Sequence, residues 1–425
     1  MEVSYKKTDV GIIPIDWDIC TLSEFFDKGF QNGVFYEVGR KGKGVPIVNV
    51  SDLYGGIPIK ESSLEKFDAT VDEISRFLVC KGDLFFTRSS IVPSGIAMCN
   101  VYDGETEHNV VFDSHVIKLS IDQHDINPLF LCLQCRMPNI RRFFIANSKT
   151  ATMTTIDQKA MAGCPIPKPS LPEQERIVET LQFFDTYIDN LTELIEKKRN
   201  IRDGALEDLV SGRTRLDGFN DEWIEYSFDS FFTFMSNNTL SRDKLTNKGA
   251  VGNIHYGDVL IKYQNCLTNE DEIPYIKDDI DTKPFKQLQA GDVVIADTAE
   301  DETVGKAIQI CDISIPVVGG LHTIVCRPNH STALGYLGYY INSRCYHDQL
   351  YPHITGIKVS SISKKAIKTT FLKIPRDIDE QKEIVYIIVA MDEEIKEMEK
   401  QRDKIIQIRE GAMDDLLTGR VRLKV

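Results

Sequence analysis

The chain has 425 residues, 42% of them hydrophobic and 27% charged, which is the composition of a globular protein of two or three domains. Its 50 Lys and Arg against 64 Asp and Glu give a formal charge of −14, and that acidity, taken alone, argues against a nucleic-acid binder. The polar start Met1-Glu2-Val3-Ser4-Tyr5-Lys6-Lys7 lacks the apolar stretch of a signal peptide. Ile384 to Met391, among the longest apolar runs, is far too short to span a membrane. A cytoplasmic location is therefore expected, with the ten cysteines as reduced thiols rather than a disulfide framework.

Taken in order, the first module carries basic clusters at Arg40-Lys41-Gly42-Lys43-Gly44 and Arg88-Ser89-Ser90, and at Arg141-Arg142 followed by Lys149-Thr150. Between them Gly82-Asp83 leads into the β-rich run Leu84-Phe85-Phe86. Asn127-Pro128 opens an apolar helix, as Pro does in a first helical turn. Cys132 and Cys135 share CxxC spacing, but no second ligand pair follows, and i, i+3 on one helix face reads as packing rather than zinc.

Residues 171–216 then align without gaps on 378–423, with 17 identities in 46 positions. Both copies open on Glu-Gln (Glu173-Gln174, Glu380-Gln381) and close on Gly-Arg-x-Arg-Leu. Apolar residues alternate at spacings of four and three: Ile177, Leu181, Phe184, Ile188, Leu191 and Ile195, then Ile384, Ile388, Met391, Ile395 and Met398. That period of 3.5 is a coiled-coil seam, and about 38 helical residues would run roughly 57 Å. Shared register favours mutual antiparallel packing over two unrelated amphipathic helices. Arg202 and Arg409 fall on the seam, facing acidic groups across the bundle or a partner protein. The two segments carry net charges of −3 and −4, so half of the −14 lies in these acidic helices.

The duplication extends beyond the helices. Trp17 and Trp223 are 206 residues apart; Gly82-Asp83 matches Gly291-Asp292, Gly95-Ile96-Ala97 matches Gly305-Lys306-Ala307, His115 matches His322, and Ile156 matches Ile362. The order is module, helix, module, helix. The second module has its own clusters, Lys283-Pro284-Phe285-Lys286, Lys358-Val359-Ser360-Ser361 and Lys364-Lys365. Glycine-flanked basic loops mixed with Ser, Thr and Asn suit phosphates and base edges, although one such loop alone reads as a solvated surface.

No catalytic signature appears. There is no glycine-rich cofactor loop with an Asn/Asp-Pro-Pro-aromatic motif, no Walker A sequence, no His-Glu-x-x-His and no Gly-x-Ser-x-Gly. His115 and His322 lie in strand-like stretches without a catalytic partner nearby and read as hydrogen-bonded structural histidines. The acidic run Asp297-Thr298-Ala299-Glu300-Asp301 matches Thr87-Arg88-Ser89-Ser90-Ile91, so its chemistry changes between copies as a specificity loop would and a repeated metal or catalytic site would not.

Tyr5-Lys6-Lys7-Thr8-Asp9-Val10-Gly11-Ile12-Ile13-Pro14-Ile15-Asp16-Trp17, the Gly-Asp-plus-β runs, Pro167-Lys168-Pro169-Ser170-Leu171-Pro172-Glu173-Gln174 and the Ser/Thr-Gly-Arg helix ends together resemble type I restriction–modification specificity subunits. The resemblance covers essentially the whole chain. It implies an α/β (α+β) fold in which two similar target-recognition domains, 1–170 and 217–377, are joined by helices in 171–216 and 378–425. The helices would form an antiparallel coiled coil with internal pseudo-twofold symmetry, whose length fixes the unread gap between half-sites.

It further implies a non-catalytic subunit that reads a split, asymmetric target in double-stranded DNA. Two methyltransferase subunits would supply S-adenosylmethionine chemistry, with restriction–translocase subunits joining them and no cofactor or metal in this chain. The DNA-contacting candidates are Arg40, Lys41, Lys43, Arg88, Ser89, Ser90, Lys149 and Thr150 in the first module. In the second they are Lys262, Tyr263, Thr298, Lys306, Thr355, Lys358 and Ser360. The rival readings are a fused methyltransferase or nuclease, and a protein-interaction scaffold without a DNA target of its own.

Overall fold

The computed structural model describes residues 4–35, 37–104, 109–356 and 358–423, so the first three residues of the polar N-terminal stretch lie outside it. The chain divides into two compact units, Met1–Asn190 with Gln401–Val425 and Leu191–Lys400. Each contains one head and a part of both long helices.

In the first head, β1 (Phe26–Asn32), β2 (Lys41–Val48), β3 (Leu84–Thr87), β4 (Ser89–Ser90), β5 (Cys99–Val101) and β6 (Val116–Ile121) precede α1 (Pro128–Arg136) and α2 (Pro138–Ala146). The short strands β7 (Lys149–Thr150) and β8 (Thr154–Thr155) follow, and then α3 (Leu171–Ser211). The main sheet is antiparallel, in the order β1-β6-β3-β5. Alternation along β3 sends Leu84 and Phe86 into one core and Phe85 into another. Burial on both faces explains why Leu84-Phe85-Phe86 reads as a continuous apolar run.

The second head repeats the plan with β9 (Phe232–Met235), β10 (Cys266–Thr268), β11 (Val293–Ala296), β12 (Thr298–Ala299), β13 (Ala307–Asp312) and β14 (Thr323–Pro328). After them come α4 (Tyr336–Asn342), β15 (Ser360–Ser361) and α5 (Ile378–Leu417). Its sheet has five strands, β9-β14-β11-β13-β10, the added edge strand β10 lying parallel to β13. Again the central strand alternates, Val293 and Ile295 into one core, Val294 and Ala296 into another.

The Gly-Asp motif makes the turn into each central strand. Gly82 and Gly291 have left-handed φ of +86° and +95°, which glycine adopts without steric cost. The buried aspartate beside each closes the turn and takes a cation. Asp83 accepts from the Cys80 amide at 2.8 Å and pairs with Lys118 at 3.2 Å. Asp292 accepts from the Gln289 amide at 2.8 Å and from Arg327 at 2.8 Å. Asn127 caps α1, its side chain accepting from the Leu129 and Phe130 amides, so helix initiation accounts for Asn127-Pro128.

The long helices pack antiparallel within each unit, the start of one against the end of the other. Ile177, Leu181, Leu416 and Leu417 enter the core of the first head; Leu206, Leu209, Ile384 and Ile388 enter that of the second. The seam arginines pair with acids across the helices. Arg202 is bidentate to Asp392 (2.7 and 3.1 Å), and Arg409 is bidentate to Asp185 (2.9 and 3.1 Å).

The repeated motifs at the helix ends meet each other. Glu173, 4% exposed at its side chain, accepts from Trp17 Nε1 at 3.2 Å and from Arg422 Nε at 2.5 Å. Glu380, 1% exposed, accepts from Trp223 Nε1 at 3.3 Å and from Arg215 Nε at 2.6 Å. The Gly-Arg-x-Arg-Leu end of each helix thus pins the Glu-Gln start of the other. Gln174 and Gln381 staple the adjoining loops, accepting from the Asn127 and Ala333 amides and donating to the Pro169 and Pro375 carbonyls.

One expectation is corrected. Cys266 and Cys311 form a disulfide, Cα to Cα 5.8 Å, across the parallel strands β10 and β13, where Cys266 lies opposite Gln309 and Cys311 falls at a register shift; the other eight cysteines are free. Cys132 and Cys135 are buried with Cys99 in the apolar core, where burial pushes the Cys99 thiol far up. Among the described residues no group of His, Cys, Asp and Glu could hold a metal ion, and no helix is long and apolar enough to cross a membrane.

Candidate nucleic-acid interface

In the first head, β4 pairs with β8 and β8 with β7. This small sheet gathers Arg88, Ser89, Ser90, Lys149 and Thr150 from distant parts of the chain. Beside it opens a cleft of about 550 Å³, lined by Asn32, Arg88, Lys149, Thr155, Asp157 and Gln158. Arg88 is exposed, and its side chain has no bonded partner among the described residues. The Thr150 and Thr154 hydroxyls are linked at 3.1 Å.

Arg40, Lys41 and Lys43 lie elsewhere, at and just before β2, and their charges are engaged. Arg40 donates to Glu73 (Nη1 to Oε1, 3.1 Å) and the Asp68 carbonyl (3.0 Å), and lies over the Phe67 ring at 4.5 Å. The Arg40 guanidinium holds the Glu73 carboxyl down to about 2. Lys41 approaches Glu65 at 3.7 Å, and Lys43 pairs with Asp68 at 3.0 Å. Arg141, from another basic cluster, turns inward and donates to the carbonyls of Ser94 (2.8 Å) and Ala97 (2.5 Å).

The second head builds an equivalent tip from β12 and β15: Thr298 faces Ser361, Ala299 faces Ser360, and Thr355 bridges back to Ser361. This brings Thr298, Thr355 and Ser360 together, with exposed Lys358 in the intervening loop. Lys262, Tyr263 and Lys306 form a separate group. Tyr263 is buried, its hydroxyl donating to the Glu272 carbonyl at 3.2 Å, so its ring offers no stacking face. Lys306 donates to the Leu260 carbonyl at 2.9 Å, and burial lowers its pKa. Lys262 and Lys306 line a cleft of about 1180 Å³ whose other charges, among them Arg199, Arg202, Asp271, Asp392 and Glu399, are of both signs.

Both histidines stand in the turn just before their strand, not in it, and are hydrogen-bonded, His115 to Asp113 and His322 to Thr298, with their rings facing outward. His115 Nδ1 meets Asp113 at 2.8 Å with the side chain 63% exposed; His322 Nδ1 meets Asp297 at 3.3 Å with 48% exposed. They also fix the alignment of the tips. Strand register places Thr87 opposite Val116 and Ala296 opposite Thr323, so Arg88 corresponds to Asp297, not Thr298. The sequence alignment was one residue out here.

A family model described as the type I restriction modification DNA specificity domain fits the chain twice, over residues 14–200 and 220–407. The chain belongs to this family. It is 23% identical, over all of its length and 98% of the relative's, to a Methanocaldococcus jannaschii protein named for the type I restriction enzyme MjaX as its specificity subunit. It is 20% identical, over all of its length and 97% of the relative's, to the MjaVIII specificity subunit of the same organism. The HsdS subunit from Thermoanaerobacter tengcongensis shares the fold at a TM-score of 0.51 and 15% identity, with 96% of this chain and 98% of that one covered. As a type I specificity subunit the chain is the non-catalytic component of its enzyme.

Asn32, Thr155, Asp157 and Gln158 line the cleft of the first head without having stood among the sequence candidates, and Asp297 stood in the run read as a specificity loop, one place off its match to Arg88.

Proposed function

We propose that the two heads are target-recognition domains, each reading one half of a split, asymmetric target in double-stranded DNA. The reading extends to the whole enzyme: the subunit positions two methyltransferase subunits that bring S-adenosylmethionine, and restriction–translocase subunits, in the cytoplasm. One observation carries it. The frame of the heads is duplicated down to the Glu-Trp-Arg contacts, while the polar tips differ residue by residue, as expected if each head serves a different sequence. Half of the net negative charge lies in the helical segments, which leaves the tips room for phosphate contacts through Lys149 and Lys358 despite the acidity of the whole chain.

The test is to co-express the chain with its methyltransferase subunit and map methylated bases across a genome. An asymmetric motif with a fixed unread gap is expected, and replacing residues 18–165 by the corresponding part of another specificity subunit should change one half only. A complex that forms but confers no motif, with the methyltransferase active on another specificity subunit, would leave a scaffold instead.

A further inference from the structure

In both heads the central strand runs out at the same place, and the residues standing there have opposite charge. Arg88 follows β3 and donates its amide to the His115 carbonyl at 3.0 Å; Asp297 follows β11 and donates its amide to the His322 carbonyl at 3.1 Å. Each leads directly into the short tip strand, β4 or β12. The Arg88 guanidinium is exposed and unbonded among the described residues. The Asp297 carboxylate is held through one oxygen, Oδ1, which accepts from Thr298 Oγ1 at 2.7 Å and faces His322 Nδ1 at 3.3 Å. Oδ2 has no hydrogen-bond partner among the described residues, and the side chain is 28% exposed.

This reversal separates two kinds of DNA contact. Phosphates are the same for both heads, and a carboxylate facing one is repelled. Base edges differ. Guanine presents two acceptors in the major groove, O6 and N7, which suit a guanidinium, whereas cytosine presents the N4 amino donor, which suits a carboxylate. Adenine also has an amino donor, but its N7 acceptor stands alongside and opposes a group that can only accept.

We propose that Arg88 and Asp297 are the equivalent base-reading residues of the two heads, Arg88 taking the O6/N7 edge of guanine and Asp297 the N4 amino group of cytosine. This rests on the two-headed reading above. It requires a G·C pair at the corresponding place in both half-sites, turned end for end relative to the head that reads it.

The experiment is methylated-base mapping with the full chain in complex with its methyltransferase subunit, comparing wild type, Arg88→Ala and Asp297→Asn. Arg88→Ala should relax one G·C position in one half-site, its preference falling about 5- to 150-fold, with the other half-site unchanged. Asp297→Asn keeps the shape and gains a donor, so the other half-site should shift from cytosine towards adenine, the base that Asn pairs with bidentately. The intact half-site in each variant is the control for folding and assembly.

A uniform fall in methylation with both motifs preserved would make Arg88 a phosphate contact and Asp297 a brace for His322, overturning the proposal. A wild-type split motif unchanged in both variants would overturn it as well. If the wild type itself yields no split motif, the two-headed reading fails instead.

Discussion

The two heads share a frame, and two of their differences, at the edge of the main sheet and at the tip, are instructive. At the edge, the first head has a single parallel bridge, Ile59 to Tyr102, both buried; the second has the strand β10 and the Cys266–Cys311 disulfide. At the tip, Arg88 stands where Asp297 does. The frame is held by side chains that cannot change singly. Glu173 and Glu380 each satisfy a tryptophan and an arginine while buried, so replacing either glutamate leaves a tryptophan and an arginine short of a buried acceptor. The tip residues have few obligations and can diverge. Constraint follows burial and bonding, and variation collects where they end.

The most forceful way to break this comparison is to unseat the frame. Glu380→Gln removes the buried counter-charge of Arg215 and one of its two acceptors there, leaving it an amide oxygen and the Phe219 and Asp221 carbonyls among the described residues, and should cost the second head about 3 kcal/mol or more. Glu173→Gln should cost the first head less, about 2 kcal/mol, because Arg422 keeps Asp16 through two bonds of 2.9 Å. Denaturant unfolding of the full chain, followed by hydrogen exchange and mass spectrometry of peptides from each head, separates the two while both tryptophans stay in place. Equal losses would show that Asp16 contributes nothing.

The edge difference is next in size. The disulfide closes a loop of 45 residues, and reduction or Cys311→Ser should destabilise the second head by about 2–4 kcal/mol. The first head should not respond to reductant. A shift in both heads, or in neither, would mean that the bridge does not distinguish them.

The seam pairs offer a finer contrast. Arg202–Asp392 also holds the Tyr339 hydroxyl at 2.9 Å, whereas Asp185 opposite Arg409 is more exposed. Asp392→Asn should therefore cost about 1–2 kcal/mol and Asp185→Asn about 0.5, by the same unfolding measurement. The reverse order would remove Tyr339 from the account.

Much of the frame was legible because it is written twice. Seam spacing, helix ends and the Gly-Asp turns all have local physical causes, and repetition lifted them above chance. What the ends do was not legible: Arg422 meets Glu173, and Arg215 meets Glu380, through contacts that no local period encodes. The disulfide was hidden because an edge strand outside the shared plan brings Cys266 to Cys311. At the tips, Ser89, Lys149 and Thr298 were candidates from composition, and the short tip strands are where they lie. Lys-Tyr at 262–263 misled, because Tyr263 turns into the core. Arg40 looked like a free loop cation, although its partner Glu73 lies on a separate short helix, Val71–Arg76.

That last pair gives an effect on the scale of Asp185→Asn and sharpens the contrast between an engaged cation and a free one. Arg40 holds Glu73 down to about 2 from the ordinary 4.5, so the folded state binds this proton more weakly than the unfolded chain does. Its contribution is fully present above pH 4.5 and is lost as the pH falls through about 2. Because the pair is partly solvated, about 1 kcal/mol or less is expected. Glu73→Gln should lower the stability of the first head by that amount at pH 6, and the gap from wild type should close as the pH approaches 2. The second head should not change. If the gap is the same at both pH values, the Arg40–Glu73 ion pair is not its source. Arg40 would then be held by the Asp68 carbonyl and the Phe67 ring rather than by charge, and the contrast with Arg88 would rest on those contacts.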